Sequence, residues 1–134
     1  MAKAKKLKII PLGGLDEIGK NLTALEYGNE IIMVDCGMEQ GPDIYENSDL
    51  PVLPGQIDFL LLTHAHIDHS GKIPELTSGG FKGPVYTTEA TQKLCSIMLL
   101  DSAHIQEFEA EWRNRKAKRS GAAPYVPLYT AEDV

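Results

Sequence analysis

Residues 57–62, "IDFLLL", constrain the fold more than any other part of the chain. The run is too short for an ordinary helix and, Asp58 apart, too continuously apolar for a strand with one wet face. It predicts a strand in the middle of a sheet, covered on both faces. The chain must therefore build, or meet, a layer on each side of that sheet.

The flanking segments supply its neighbours. "LKIIPL" (7–12) reads as a strand that stops at Gly13-Gly14, and "NLTALEY" (21–27) alternates apolar and polar residues as a half-buried strand does. Gly28-Asn29 then offers a two-residue turn into "EIIMVDCG", which predicts a hairpin. Residues 37–56 carry three glycines, three prolines and several acids, a composition for an irregular excursion. Beyond the apolar strand, a short helix is expected through about residue 78, started or interrupted near Pro74, and "PVYTT" (84–88) reads as one more strand.

From Thr88, a candidate N-cap, the period changes. Ala90, Leu94, Ile97, Met98, Ile105, Phe108 and Trp112 recur at helical spacing and predict one buried stripe on a long helix. Trp112 and Tyr125 are accordingly expected in the core. The cations of "RNRKAKRSG" fall where that helix should end before Gly121, and there they meet the helix dipole. The closing "TAEDV" carries a helix-start signal, Thr130 as N-cap with Glu132 and Asp133 after it, as if more helix were to follow. This order of elements predicts an α/β layer structure in one domain.

A formal charge of −6 argues against a generic polyanion binder, and the basic stretches "KAKK" (3–6) and "RNRKAKR" (113–119) read as solvated surface. Cys36 and Cys95 lie far apart in no C-x-x-C spacing, so neither a disulfide framework nor a thiolate zinc knuckle is indicated. A reducing cytoplasm fits, and no apolar run approaches the roughly 18 residues of a membrane span.

Directly behind the apolar strand, "THAHIDH" places three of the four histidines and an aspartate within six residues. In an extended loop His64 and His66 project to the same side and can address one ion; Asp68 and His69 then turn away and can serve a second. Imidazole and carboxylate together suit Zn²⁺ or Mn²⁺. Two such ions about 3.5–4 Å apart clamp attacking and leaving oxygens and generate hydroxide at neutral pH, which is hydrolytic chemistry. His104, alone on the long helix, reads as an ordinary surface or core histidine.

"HAHIDH" (64–69) resembles the H-x-H-x-D-H signature of the metallo-β-lactamase superfamily, and "MVDCG" (33–37) its earlier strand-closing aspartate motif. "PLGGLDEIGKN" (11–21), "GFKGPVYTTEATQKLCSIMLLDSAHIQE" (80–107) and "PLYTAEDV" (127–134) resemble the RNA-processing β-CASP nucleases, the branch of ribonuclease J and the cleavage-and-polyadenylation nuclease. The resemblance implies the amino-terminal half of an αββα sandwich, a mixed sheet with helices packed on it. Residues 1–134 would be a partial domain, stopping before the remaining ligand motifs and the β-CASP insertion.

It further implies that His64 and His66 bind a first metal ion, that Asp68 and His69 bind a second, and that Asp35 accepts a hydrogen bond from a ligand and fixes its orientation. The loop "GGLDEIG" would carry substrate near the metals. Two zinc ions are expected in a complete site, with manganese as the alternative, and RNA as the partner of the complete protein. The implied activity is metal-dependent hydrolysis of RNA phosphodiesters. Other branches imply a thioester, a lactam or a small phosphoester instead. With the further ligands missing, a non-catalytic metal-binding or subunit-interaction module also fits, as does a homo-oligomer or a complementing chain covering the missing half.

Overall fold

The computed structural model describes residues 4–39, 49–118 and 121–134. The strands are β1 (Leu7–Gly13), β2 (Leu22–Tyr27), β3 (Glu30–Val34), β4 (Phe59–Leu61) and β5 (Val85–Tyr86). The helices are α1 (Ile67–Ser70), α2 (Ile73–Ser78) and α3 (Glu89–Ala117), with short 3₁₀ turns at Pro54–Gln56 and Ala131–Asp133. The strands form one mixed sheet in the order β1-β2-β3-β4-β5. The first three run antiparallel, while β3, β4 and β5 run parallel.

Local chemistry explains most of this. The β2–β3 hairpin closes Tyr27 on Glu30, and Gly28, at φ 66°, supplies the positive φ that a two-residue hairpin needs at its first position. The segment after β4 splits at Pro74 into two helices, because proline fits the first turn of α2 and not its interior. The Thr88 side chain caps α3 by accepting a hydrogen bond from Thr91 N at 3.2 Å. Arg115 and Lys116 occupy its last turn, and Asp133 closes a box back onto Thr130 N at 2.7 Å over the final 3₁₀ turn. Of the expected excursion over 37–56, residues 40–48 lie outside the described residues, as does Lys3 of the first basic stretch.

The core lies between one face of the sheet and the helices. Leu22, Ala24, Met33, Leu60 and Leu62 point into it and meet Ala65, Ile67, Leu76, Cys95 and Leu99. The other face carries Ile9, Leu25, Ile32 and Phe59 in one cross-strand row. There Ile9 is 65% exposed and Leu61 38%. The expectation that residues 57–62 are covered on both faces is thus corrected. Leu60 and Leu62 are buried, but among the described residues no second layer covers Phe59 and Leu61.

A second correction concerns α3. Its buried residues are Thr91, Cys95, Leu99, Ser102, Ala103, Gln106 and Ala110. Of the predicted stripe, Leu94, Ile97, Ile105, Phe108 and Trp112 are all exposed. The helix seats its small and polar side, because that side both approaches closely and binds the carboxy-terminal segment. Leu128 N donates to Gln106 Oε1 at 3.0 Å, and the Tyr129 hydroxyl donates to Ser102 Oγ at 2.9 Å. Trp112 and Tyr125 are likewise outside the core, each covered by a cation, Lys116 at 3.5 Å and Arg113 at 5.3 Å from the ring centres.

Candidate metal centre

The centre forms at the carboxyl ends of β3 and β4, which lie side by side because the two strands are parallel. Asp35 N donates to Leu61 O at 2.9 Å, so Asp35 sits beside Thr63 where β4 ends. The chain then closes α1: His69 N and Ser70 N both donate to His66 O at 2.9 Å, and Ser70 Oγ holds Ala65 O at the same distance. Residues 36–38 lie against the other side of α1. Cys36 N donates to His69 O at 2.8 Å and Met38 N to Ile67 O at 3.0 Å. Gly37 is required there, since a Cβ would overlap Asp68 O.

Asp35 is 5% exposed and adopts φ 60°, a left-handed conformation that aspartate tolerates. Its carboxylate accepts from Thr63 N (2.8 Å), from Thr63 Oγ1 (2.8 Å) and from His69 Nδ1 (2.7 Å). For the neutral imidazoles, counting protons fixes the tautomers. A carboxylate only accepts, so His69 carries its proton on Nδ1 and leaves Nε2 as a lone pair. Thr63 has one hydroxyl proton and gives it to Asp35, so its contact with His64 Nδ1 at 2.9 Å requires a proton on that nitrogen. His64 Nε2 is then a lone pair as well.

The three imidazole rings lie close together. The His64 ring lies 4.6 Å from His66 and 4.1 Å from His69, centre to centre. His69 therefore does not turn away from the first pair, because the first turn of α1 and the Asp35 carboxylate bring it back over His64. His69 Nε2 also lies 3.4 Å from Asp68 Oδ2. The Asn21 amide lies beside both, at 3.2 Å from His69 Nε2 and 3.4 Å from Asp68 Oδ2, and donates to Asp68 O at 3.1 Å. Acceptors gathered this way fit a cation. Among the described residues, however, no group of three or more His, Cys, Asp or Glu side chains is arranged to hold one ion.

Cys36, although next to Asp35, is fully buried in the apolar core, and that burial pushes its thiol up to about 12 against the opposing pull of Lys72. His104 is exposed on α3, away from the cluster in sequence and on another element. In the loop "GGLDEIG" the apolar Leu15 and Ile18 are exposed, Ile18 almost completely. Sequence reasoning missed Thr63 and Asn21. Thr63 was legible in principle as the hydroxyl adjoining the first histidine; Asn21 carries no local signal, since its partners are 47 and 48 residues away.

Residues 15–96 match the family model of the metallo-β-lactamase superfamily. Over 102 residues the chain is 37% identical to ribonuclease TTHA0252 of Thermus thermophilus, covering 75% of this chain and 24% of that protein. It is 36% identical to an Integrator complex subunit 11 homolog of Dictyostelium discoideum (71% of this chain, 14% of that protein). It is 35% identical to transcription termination factor FttA of Methanosarcina mazei (75% and 16%). The chain belongs to the metallo-β-lactamase superfamily, and within it resembles the β-CASP branch of RNA-processing nucleases. It spans about a quarter or less of the length of these relatives. Among the described residues, no helix is long and apolar enough to cross a membrane.

Proposed function

We propose that this chain supplies the amino-terminal ligands of a metal-dependent hydrolase of RNA phosphodiesters. His64 and His66 would hold one divalent ion, Asp68 and His69 a second, zinc in the first instance and manganese as the alternative. Asp35 and Thr63 orient the histidines. Bound divalent ions would lower the pKa of water and offset charge on a phosphoryl centre.

The observation that carries the reading is the hydrogen bonding around Asp35, which holds His69 Nδ1 on its carboxylate and, through Thr63 Oγ1, engages His64 Nδ1, so that in each ring Nε2 is left for other partners. Residues 1–134 would form part of a domain completed by further chain laid on the open sheet face, in keeping with the small share of each relative that they span. A subunit-interaction module is the second reading, favoured by the lack, among the described residues, of three or more donors arranged around one ion.

Zinc content of the 134-residue chain, measured by elemental mass spectrometry after reconstitution beside a His64→Ala/His66→Ala control, tests the site. Retained zinc that the control loses is expected; equal zinc in both chains refutes the ligand assignment. End-labelled RNA left intact by zinc- or manganese-loaded protein carrying the completed domain, while a thioester or lactam is turned over, would overturn the RNA reading alone.

A further inference from the structure

Asn21 stands where the loop of residues 13–20 enters β2, and its main chain is fixed on both sides. Its N–H donates to Asp68 O at 3.0 Å, and its carbonyl accepts from Gly37 N at 2.9 Å, so it joins the segment after Asp35 to the first turn of α1. The side chain is fixed as well. Its Oδ1 packs against Gly14, where a Cβ would lie 2.6 Å away, and this leaves Nδ2 turned toward the centre. There Nδ2 donates to Asp68 O at 3.1 Å and Asp68 Oδ2 at 3.4 Å, and lies 3.2 Å from His69 Nε2, which accepts from it when the neutral ring keeps its proton on the Asp35 side.

The two candidate ligands differ in what else holds them. Asp35 anchors the His69 ring through Nδ1 at 2.7 Å. Among the described residues, the Asp68 carboxylate meets only the Asn21 amide and the His69 ring. Its position therefore depends on Asn21. The spacing that results is informative. His69 Nε2 and Asp68 Oδ2 are 3.4 Å apart. Ligands on a tetrahedral zinc ion, with bonds of about 2.0–2.1 Å, stand about 3.3–3.4 Å from one another. The pair is already spaced as two ligands of one ion, and Nδ2, at 3.2 and 3.4 Å from them, lies at the third corner of the same face. An amide nitrogen that carries its two protons only donates, so it orients the pair without being a ligand itself.

Resting on the assignment of Asp68 and His69 to the second ion, we propose that Asn21 is the positioning residue of that pair: its amide draws the carboxylate to the ring at ligand spacing and occupies the third corner of the coordination face.

Zinc affinity of the 134-residue chain, measured by competition with a chromophoric chelator, tests this with Asn21→Ala, Asn21→Asp and Asp68→Ala beside the wild type. The main-chain bonds of Asn21 do not depend on its side chain, and circular dichroism with urea titration in a chelator checks each fold. Asn21→Ala should weaken zinc about tenfold, as expected on losing a group that orients a ligand. Asn21→Asp keeps the shape of the side chain but has no proton to give. Facing Asp68 O and Oδ2, it should lower the urea midpoint of the zinc-free chain, yet its carboxylate at the third corner should bind zinc more tightly than the wild type, and zinc should raise its midpoint more. A side chain that served only the fold would move both variants the same way, losing stability and zinc together. If Asp68→Ala weakens zinc but Asn21→Ala does not, or if Asn21→Asp fails to exceed the wild type, the inference falls and the ligand assignment stands. If Asp68→Ala binds zinc as the wild type does, the ligand assignment falls and the inference with it.

Discussion

Replacing Asp35 by Asn isolates the proton logic of the centre. The substitution keeps the shape of the side chain, and asparagine accepts the left-handed φ of 60° as readily as aspartate, so the backbone has no reason to move. The amide oxygen still accepts from Thr63 N. Its NH₂ now faces Thr63 Oγ1 and His69 Nδ1, which in the native chain both donate to Asp35. Relief requires the whole chain of protons to reverse: the introduced amide would donate to His69 Nδ1 and to Thr63 Oγ1, and the Thr63 hydroxyl would donate to His64 Nδ1. Both imidazoles would then carry their proton on Nε2.

Two charge-assisted hydrogen bonds are replaced by neutral ones, so Asp35→Asn should cost about 2 kcal/mol of folding stability. Metal affinity should fall about 10- to 100-fold, the usual consequence of losing an orienting carboxylate. Asp35→Ala should lose more, about 1 kcal/mol beyond the missing bonds, because alanine resists the left-handed conformation. Urea denaturation measures the stabilities, and long-range ¹H–¹⁵N spectra of the histidine rings report the tautomers. If both rings kept their Nδ1 protons in the Asp35→Asn variant, the proton assignment at Asp35 and Thr63 would be wrong.

Other consequences can be checked separately. Gly37→Ala should destabilise the fold by about 3 kcal/mol, since its Cβ would meet the Asp68 and Asn21 backbones rather than a side chain able to move; a thermal melt indistinguishable from that of the wild type would contradict this. Thr88→Ala should remove the α3 cap at a cost of about 1 kcal/mol, measured by denaturant titration. Both cysteines should resist thiol reagents at mildly alkaline pH. Burial holds the Cys36 thiol at about 12 and raises Cys95 above the usual thiol range, so both thiolate fractions are small and grow only as pH rises beyond that range; a native chain that reacts as fast as a urea-unfolded one would refute it.

What was legible in the sequence was local. The hairpin at Gly28, the cap at Thr88 and the break at Pro74 each rest on neighbours within a few residues. The candidate ligands His64, His66, Asp68 and His69 are likewise near neighbours in sequence. What was not legible depended on partners elsewhere. Periodicity finds apolar stripes on α3 but does not say which the core takes. Leu94, Ile97 and Phe108 outweigh Cys95, Ala103 and Ala110 in apolar area, yet the smaller residues are inside. The deciding groups were Gln106 and Ser102, whose bonds to Leu128 and Tyr129 fix the helix by its polar side.

The same division runs through the centre. The ligand candidates are contiguous, whereas the groups that orient them arrive from three other segments, Asn21 ahead of β2, Asp35 after β3 and Thr63 at the end of β4. A histidine motif alone does not fix which ring nitrogen faces a metal, because in solution the tautomers interconvert freely. That choice is made by an aspartate in a left-handed conformation and a threonine with one proton to give. Asp35 keeps its position because Gly37 permits the close approach of α1, and α1 delivers His69. A disturbance at Gly37 is therefore a disturbance of the bond between His69 and Asp35, although Gly37 has no side chain to make a bond of its own.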